Sequence, residues 1–180
     1  MNICIFCGSG AGNNPVYAEA AKEIATLLCE TKSTLVYGGG NIGLMGILAD
    51  QVMSNGGKVI GVIPDFLMQK EVGHNGLTQL EIVGSMHERK RRMADLADAF
   101  IALPGGWGTL DELAEILTWK QLDLIHASVG ILNTNHYFDS LISQMQTMVQ
   151  EGFLQSKNLQ EIRVADSPKN LLIQLGVISV

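Results

Sequence analysis

Short apolar runs alternate with longer amphipathic segments along the whole chain, and this alternation constrains the fold more than any other feature. The pattern predicts strands at 2–7, 34–37, 58–63, 81–83, 99–103 and 128–132, with a weaker one at 162–165. Between them, apolar residues recur at helical spacing over 15–29, 43–55, 86–97, 109–121 and 137–150, and again over 168–175. Each helix must return the chain to the end of the sheet where the previous strand began. The expected fold is therefore α/β, a Rossmann-like parallel sheet with helices on both faces. With 180 residues, 47% of them hydrophobic, the chain can build one domain over 1–180 with its own core, and no repeat or linker divides it.

The formal net charge of −6 argues against broad binding to nucleic acid or an anionic membrane, both of which need an electropositive surface. A small molecule is the expected partner. Met1 leads straight into "NICIFC" without a basic segment, and no apolar run approaches the roughly 18 residues that span a bilayer, so a cytoplasmic protein is expected. Three cysteines fit a reducing compartment, since an odd count leaves one unpaired in any scheme. Cys4 and Cys7 spell C-x-x-C, but three positions apart in a strand they point to opposite faces, as packing residues do.

In an open parallel sheet, ligands bind beyond the carboxyl ends of the strands, where loops run into helix N-termini. Glycines collect at three of these places: "CGSGAG" (7–12), "YGGGNIGLMG" (37–46) and "PGGWGT" (104–109). One such loop is explained equally well by the needs of a tight turn. Three at one sheet edge favour a phosphorylated ligand held by backbone N–H groups, with Gly8, Ser9, Gly39 and Gly40 among the candidates.

Several familiar motifs fail on inspection. Gly38, Gly40 and Gly43 match G-x-G-x-x-G, and Asp65 lies about 20 residues on, near where a ribose-binding acid belongs. That loop follows the second strand rather than the first, so an NAD(P)-dependent oxidoreductase is a reserve reading. No Walker A sequence and no G-x-S-x-G elbow occurs. The four histidines lack metal-ligand spacing, and in "HERKR" Arg91 stands where H-E-x-x-H needs its second histidine. Neither a protein-bound metal nor a resident cofactor is expected.

"SMHERKRRMADLADAF" (85–100) opens with Ser85-x-x-Glu88, a capping box that starts a helix near Met86. Arg89 shares the apolar face of that helix with Met93 and Leu96, while Lys90 and Arg91 read as a solvated face. A guanidinium turned toward a core needs a partner, because its charge cannot be removed and burial without one is costly. Glu112 is the candidate. Thr109-x-x-Glu112 is itself a capping box, so Glu112 either folds back on the Thr109 N–H or, bordering the stripe of Leu113, Ile116 and Leu117, meets Arg89 beside a bound anion.

"PGGWGTLDE" (104–112) resembles the P-G-G-x-G-T-x-x-E signature of the LONELY GUY family of cytokinin riboside 5′-monophosphate phosphoribohydrolases, and "MHERK" (86–90) resembles that family's second motif. "GGGNIGLMG" (38–46) and "CGSG" (7–10) agree, so the resemblance covers the chain from Met1 to about Gln121. It implies hydrolysis of the N-glycosidic bond of adenosine 5′-monophosphates, often N6-substituted, to free base and ribose 5-phosphate. It also implies Arg89 and Glu112 as catalytic pair; Glu71, Lys90, Gly106, Trp107, Gly108, Thr109 and Thr118 as nucleotide-binding residues; and a homodimer. Tyrosine is common in the family where this chain has Trp107, and glutamate where it has Asp111; neither change touches a reacting group. Some relatives carry a lysine decarboxylase label, but pyridoxal chemistry needs a Schiff-base lysine with a supporting anion site, and no lysine here has that setting. Under this reading Glu112 activates water or stabilises a ribosyl cation, and Arg89 is expected to lower its pKa. A non-catalytic carrier of a phosphorylated cofactor such as molybdenum cofactor is the further alternative, since relatives of the fold bind it.

Overall fold

In the computed structural model, which describes residues 1–68 and 73–179, seven strands form one parallel sheet. The elements in order are β1 (Asn2–Phe6), α1 (Val16–Glu30), β2 (Thr34–Tyr37), α2 (Gly43–Ser54), β3 (Lys58–Pro64), α3 (Asp65–Met68), β4 (Gln79–Val83) and α4 (Met86–Leu96). They continue with β5 (Ala99–Ala102), α5 (Trp107–Gln121), β6 (Ser128–Leu132), α6 (Asp139–Gln150), α7 (Ser156–Gln160), β7 (Ile162–Ala165) and α8 (Pro168–Gln174). The strand order is β4-β3-β2-β1-β5-β6-β7, every pair parallel. This is the expected α/β, Rossmann-like architecture.

Period-two alternation divides the core into two layers. From β1, Ile3 and Ile5 face one layer with Leu28, Leu48 and Leu171, which come from α1, α2 and α8. Cys4 and Phe6 face the other, with Met93, Leu113, Ile116 and Met145 from α4, α5 and α6. Cys4 and Cys7 are buried free thiols assigned to opposite layers, as the strand period requires.

The chain runs outward from β1 through β2 and β3 to β4, then returns over the second face in α4 and enters the sheet again beside β1 as β5. The order therefore reverses between β1 and β5, and such a reversal opens a crevice at the carboxyl edge. The "CGSG" and "PGGWGT" loops leave the sheet on either side of that point. Gly8 N donates to Pro104 O at 3.1 Å, so they are in direct contact.

The main departures from the sequence expectation are two helix starts and two short helices. The fifth helix begins at Trp107 with Gly106 as N-cap, two residues before Thr109. The sixth begins at Asp139 because a 3-10 turn over Thr134–His136, with Asn135 and His136 in the left-handed region, intervenes. The short helices α3 and α7 are too brief to show an apolar period.

Candidate active site

Ser85 caps α4 as its capping box predicts, accepting from Glu88 N at 3.2 Å, while the Glu88 carboxylate accepts from Gly84 N at 2.7 Å. This start fixes the rotation of α4 and turns Arg89 and Met93 into the sheet. Arg89 Nε donates to Val62 O at 3.2 Å, and its Nη1 donates to Glu112 Oε1 at 2.7 Å. The two side chains are 9% and 8% exposed. Gly38, the residue after β2, makes room: a Cβ there would collide with the Arg89 guanidinium.

The choice between cap and partner is thus resolved at Glu112. Because the helix starts at Trp107, Thr109 sits within its first turn rather than at its cap, and Gly106 has no side chain to cap with. The Thr109-x-x-Glu112 capping box does not form, and Glu112 faces Arg89. Burial pushes the Glu112 carboxyl above the ordinary carboxylate range; the Arg89 charge and hydrogen bond pull it back without cancelling that rise. Arg89 acts in the expected direction, but burial outweighs it and the net shift is upward rather than downward. Removing a carboxylate from water costs more here than one guanidinium returns.

Around α5's first turn, Gly106, Trp107 and Gly108 are exposed and Thr109 is buried. Trp107 is 87% exposed, so its ring is free to meet a ligand or another surface. A Cβ at Gly105 would strike Thr109 Oγ1 and lie 2.8 Å from Gly8 N, so only glycine allows these two loops to close. Together they form a cavity of about 340 Å³ lined by Gly8, Ser9, Gly105, Gly106, Tyr17 and Tyr137, among others. Glu112 lies five residues past the helix start, about 7 Å deeper along the axis.

The remaining candidates are distributed unevenly. Lys90 is not the solvated residue its own helix suggests: its ammonium pairs with Asp111 Oδ2 and Glu115 Oε2, each at 3.2 Å, joining α4 to α5. Gly39 and Gly40 do not line the 340 Å³ cavity; the Gly39 carbonyl accepts from His74 N and the Gly40 carbonyl from Tyr37 Oη. Thr118 lies about 16 Å along α5 from Trp107. It donates to Ala114 O and lines a separate apolar cavity of about 310 Å³ with Leu141, Met145 and Met148. Glu71 lies outside the described residues. Among the described residues no cluster of three or more His, Cys, Asp or Glu could hold a metal ion, and no helix is long and apolar enough to cross a membrane. Sequence reasoning missed Gly38 as the space for Arg89 and Tyr137 as a wall of the cavity; neither residue type announces such a role.

A family model described as "Possible lysine decarboxylase" matches residues 45–175. The chain is 47% identical over 173 residues to the cytokinin riboside 5′-monophosphate phosphoribohydrolase LOG1 of Arabidopsis thaliana, covering 96% of this chain and 81% of that one. The chain belongs to the LOG family. A second relative, LOG7 of the same plant, is 45% identical over 173 residues, covering 96% of this chain and 80% of that one. Among solved structures, the molybdenum cofactor binding protein from the phototrophic bacterium Rippkaea orientalis superposes with a TM-score of 0.74 at 22% identity, covering 99% of this chain and 97% of that one. At that identity the likeness shows the shared fold alone. The lysine decarboxylase description of the family model finds no support at Lys90. Burial works to lower its pKa, but hydrogen bonds and charges from Asp111 and Glu115 raise it, whereas a Schiff-base lysine needs a readily neutralised amine.

Proposed function

We propose that this LOG-family protein is a cytokinin riboside 5′-monophosphate phosphoribohydrolase, releasing free base and ribose 5-phosphate from adenosine 5′-monophosphates. The observation that carries the reading is the buried 2.7 Å Arg89–Glu112 pair, set one and a half turns into a helix whose N-terminus opens on a glycine-lined cavity. A cofactor carrier needs no such pair.

In the proposed reaction the 5′-phosphate rests on the N–H groups of Gly106, Trp107, Gly108 and Thr109, with the Gly8 and Ser9 loop as the opposite wall. C1′ then lies near Glu112. As the C1′–N9 bond breaks, its electron pair leaves with the base, positive charge grows on the ribosyl ring, and water forms the new C1′–O bond. Glu112 takes the water proton and its charge stabilises the cation; N9 of the leaving base is protonated from solvent. A carboxyl raised by burial suits the role, because a base works best with a pKa closer to the operating pH. Arg89 holds the carboxylate in one orientation and keeps it from being fully neutralised by its surroundings. Lys90 and Glu71 are assigned to substrate binding by the family resemblance.

The active species proposed is a homodimer of one-domain subunits working in the cytoplasm. Leu122 and Leu124 are 59% and 66% exposed just beyond α5, and Thr118 lies too far along that helix to reach an anion at its own N-terminus. A second copy is the natural source of Thr118 at the nucleotide. Three free cysteines suit a reducing compartment.

The test is to incubate the purified protein with AMP and with isopentenyl-AMP and follow free base chromatographically. Base release from at least one, abolished in Glu112→Gln, is expected. No release from either, or full activity in Glu112→Gln, contradicts the reading.

A further inference from the structure

The anion seat has a weakness built into its sequence. The peptide joining Gly105 to Gly106 is flanked by two residues without a Cβ, so it is the peptide in the turn most free to rotate as a unit. In a trans peptide the carbonyl and the following N–H point in opposite directions. A flip at this peptide would swing the Gly106 N–H away from the seat and put the Gly105 carbonyl oxygen in its place, replacing a donor to the phosphate with a repelling acceptor.

One side chain opposes that flip. Tyr137 Oη donates to Gly105 O at 2.5 Å, across 32 residues of sequence. With that carbonyl held by the phenol, the Gly106 N–H faces away from Tyr137. The phenol reaches this point because the chain between β6 and α6 is shaped to deliver it. Asn133 Oδ1 accepts from Phe138 N at 2.7 Å and its Nδ2 donates to Asp139 Oδ1 at 2.7 Å, bracketing Tyr137. Asn135 and His136 both adopt left-handed backbone, at φ 53° and 59°, which Asn and His take more readily than most side-chain-bearing residues, and this turns the chain toward Gly105. Phe138 is buried next to Tyr137, and the Tyr137 ring packs edge-on against Tyr17 at 5.8 Å and Phe138 at 5.0 Å. The neighbouring Pro104 carbonyl is held in a similar way, by Gly8 N.

We infer that Tyr137 is a positioning residue for phosphate recognition, locking the Gly105–Gly106 peptide with its N–H toward the bound anion. The inference rests on the proposed seating of the 5′-phosphate at this turn. It adds a residue from the turn after β6, on the wall of the same cavity, that acts through the Gly105 carbonyl.

Tyr137→Phe removes the hydroxyl and keeps the ring contacts. Titration calorimetry with inorganic phosphate and with ribose 5-phosphate is expected to show both dissociation constants rising about tenfold, the loss of one well-placed hydrogen bond. The KM for AMP should rise by a similar factor, with kcat altered less than about twofold. Unchanged dissociation constants, or a loss confined to kcat, would overturn the inference. A second measurement needs no variant: phosphate added to the unaltered protein should move the Gly106 amide proton resonance, and an unmoved resonance overturns the inference. The two proposals separate cleanly. Phosphate binding weakened by Tyr137→Phe in a protein that cleaves no AMP keeps the clamp and removes the hydrolase reading; AMP cleavage with unaltered phosphate affinity does the reverse.

Discussion

Helix α4 carries two arginine–glutamate pairs that look alike on paper and behave oppositely. Arg89 reaches Glu112 at 2.7 Å with both side chains nearly inaccessible. Arg92 reaches Glu81 through two hydrogen bonds of 2.6 and 2.9 Å, with the side chains 42% and 20% exposed. Hydrogen bonds from Arg92 outweigh the effect of burial and lower the Glu81 pKa, whereas burial outweighs Arg89 and raises that of Glu112. The difference is water. Where solvent still reaches the pair, the ionised carboxylate is stabilised and the pair is structural; where it does not, the carboxylate is held at a cost and is ready to accept a proton.

The largest expected effect breaks this comparison directly. Glu112→Gln should lower kcat for AMP about a thousandfold, the scale of a lost general base, while Glu81→Gln changes it less than about twofold. Steady-state base release measures both. Arg89→Met should lower kcat/KM by about a hundredfold, because the carboxylate loses its orienting charge. Gly38→Ala reaches the same pair without altering either charge: the added methyl must displace the guanidinium, and a loss of about tenfold in kcat/KM is expected.

The smallest effect is in stability, and there the two pairs should differ in the sign of their pH dependence. Glu81, with its folded pKa lowered, contributes stability above its unfolded pKa that is lost as pH falls through the folded value. Glu112, with its folded pKa raised, contributes stability at low pH that is lost as pH rises through the folded value. At pH 7, Glu81→Gln should therefore lower Tm by up to about 2–4 °C, the equivalent of about 1 kcal/mol, a loss that shrinks on acidification; Glu112→Gln also lowers Tm, because it leaves the Arg89 guanidinium buried without its counter-charge, and that loss grows on acidification. Thermal melts at pH 5 and pH 7 check both signs.

Much of the molecule was legible in the amino-acid sequence because periodicity reports burial on a residue's own element. Strand alternation showed the sheet, and helical spacing put Arg89 on the inner face of its helix. What periodicity cannot report is a neighbour. Lys90 points outward from α4 by spacing, yet α5 lies there with Asp111 and Glu115. The role of Glu112 depended on where α5 starts, and its N-cap is a glycine, which has no side chain to announce a cap. The two residues of mismatch made a false capping box of Thr109 and Glu112. The Asn135–His136 turn was hidden for a related reason: Asn and His tolerate left-handed backbone without announcing it, and the contact that ties the turn to the site, Tyr137 Oη to Gly105 O, spans 32 residues.

The central claim is that burial poises Glu112 as the base that cleaves the nucleotide. The pH dependence of kcat/KM for AMP tests it most directly. Glu112 must lose its proton to act, so the account predicts a rate that falls on acidification along a limb centred above the ordinary carboxylate range, moving higher still in Arg89→Met as the guanidinium's downward pull is lost. A limb at the ordinary carboxylate value, or one that Arg89→Met leaves in place, would contradict it.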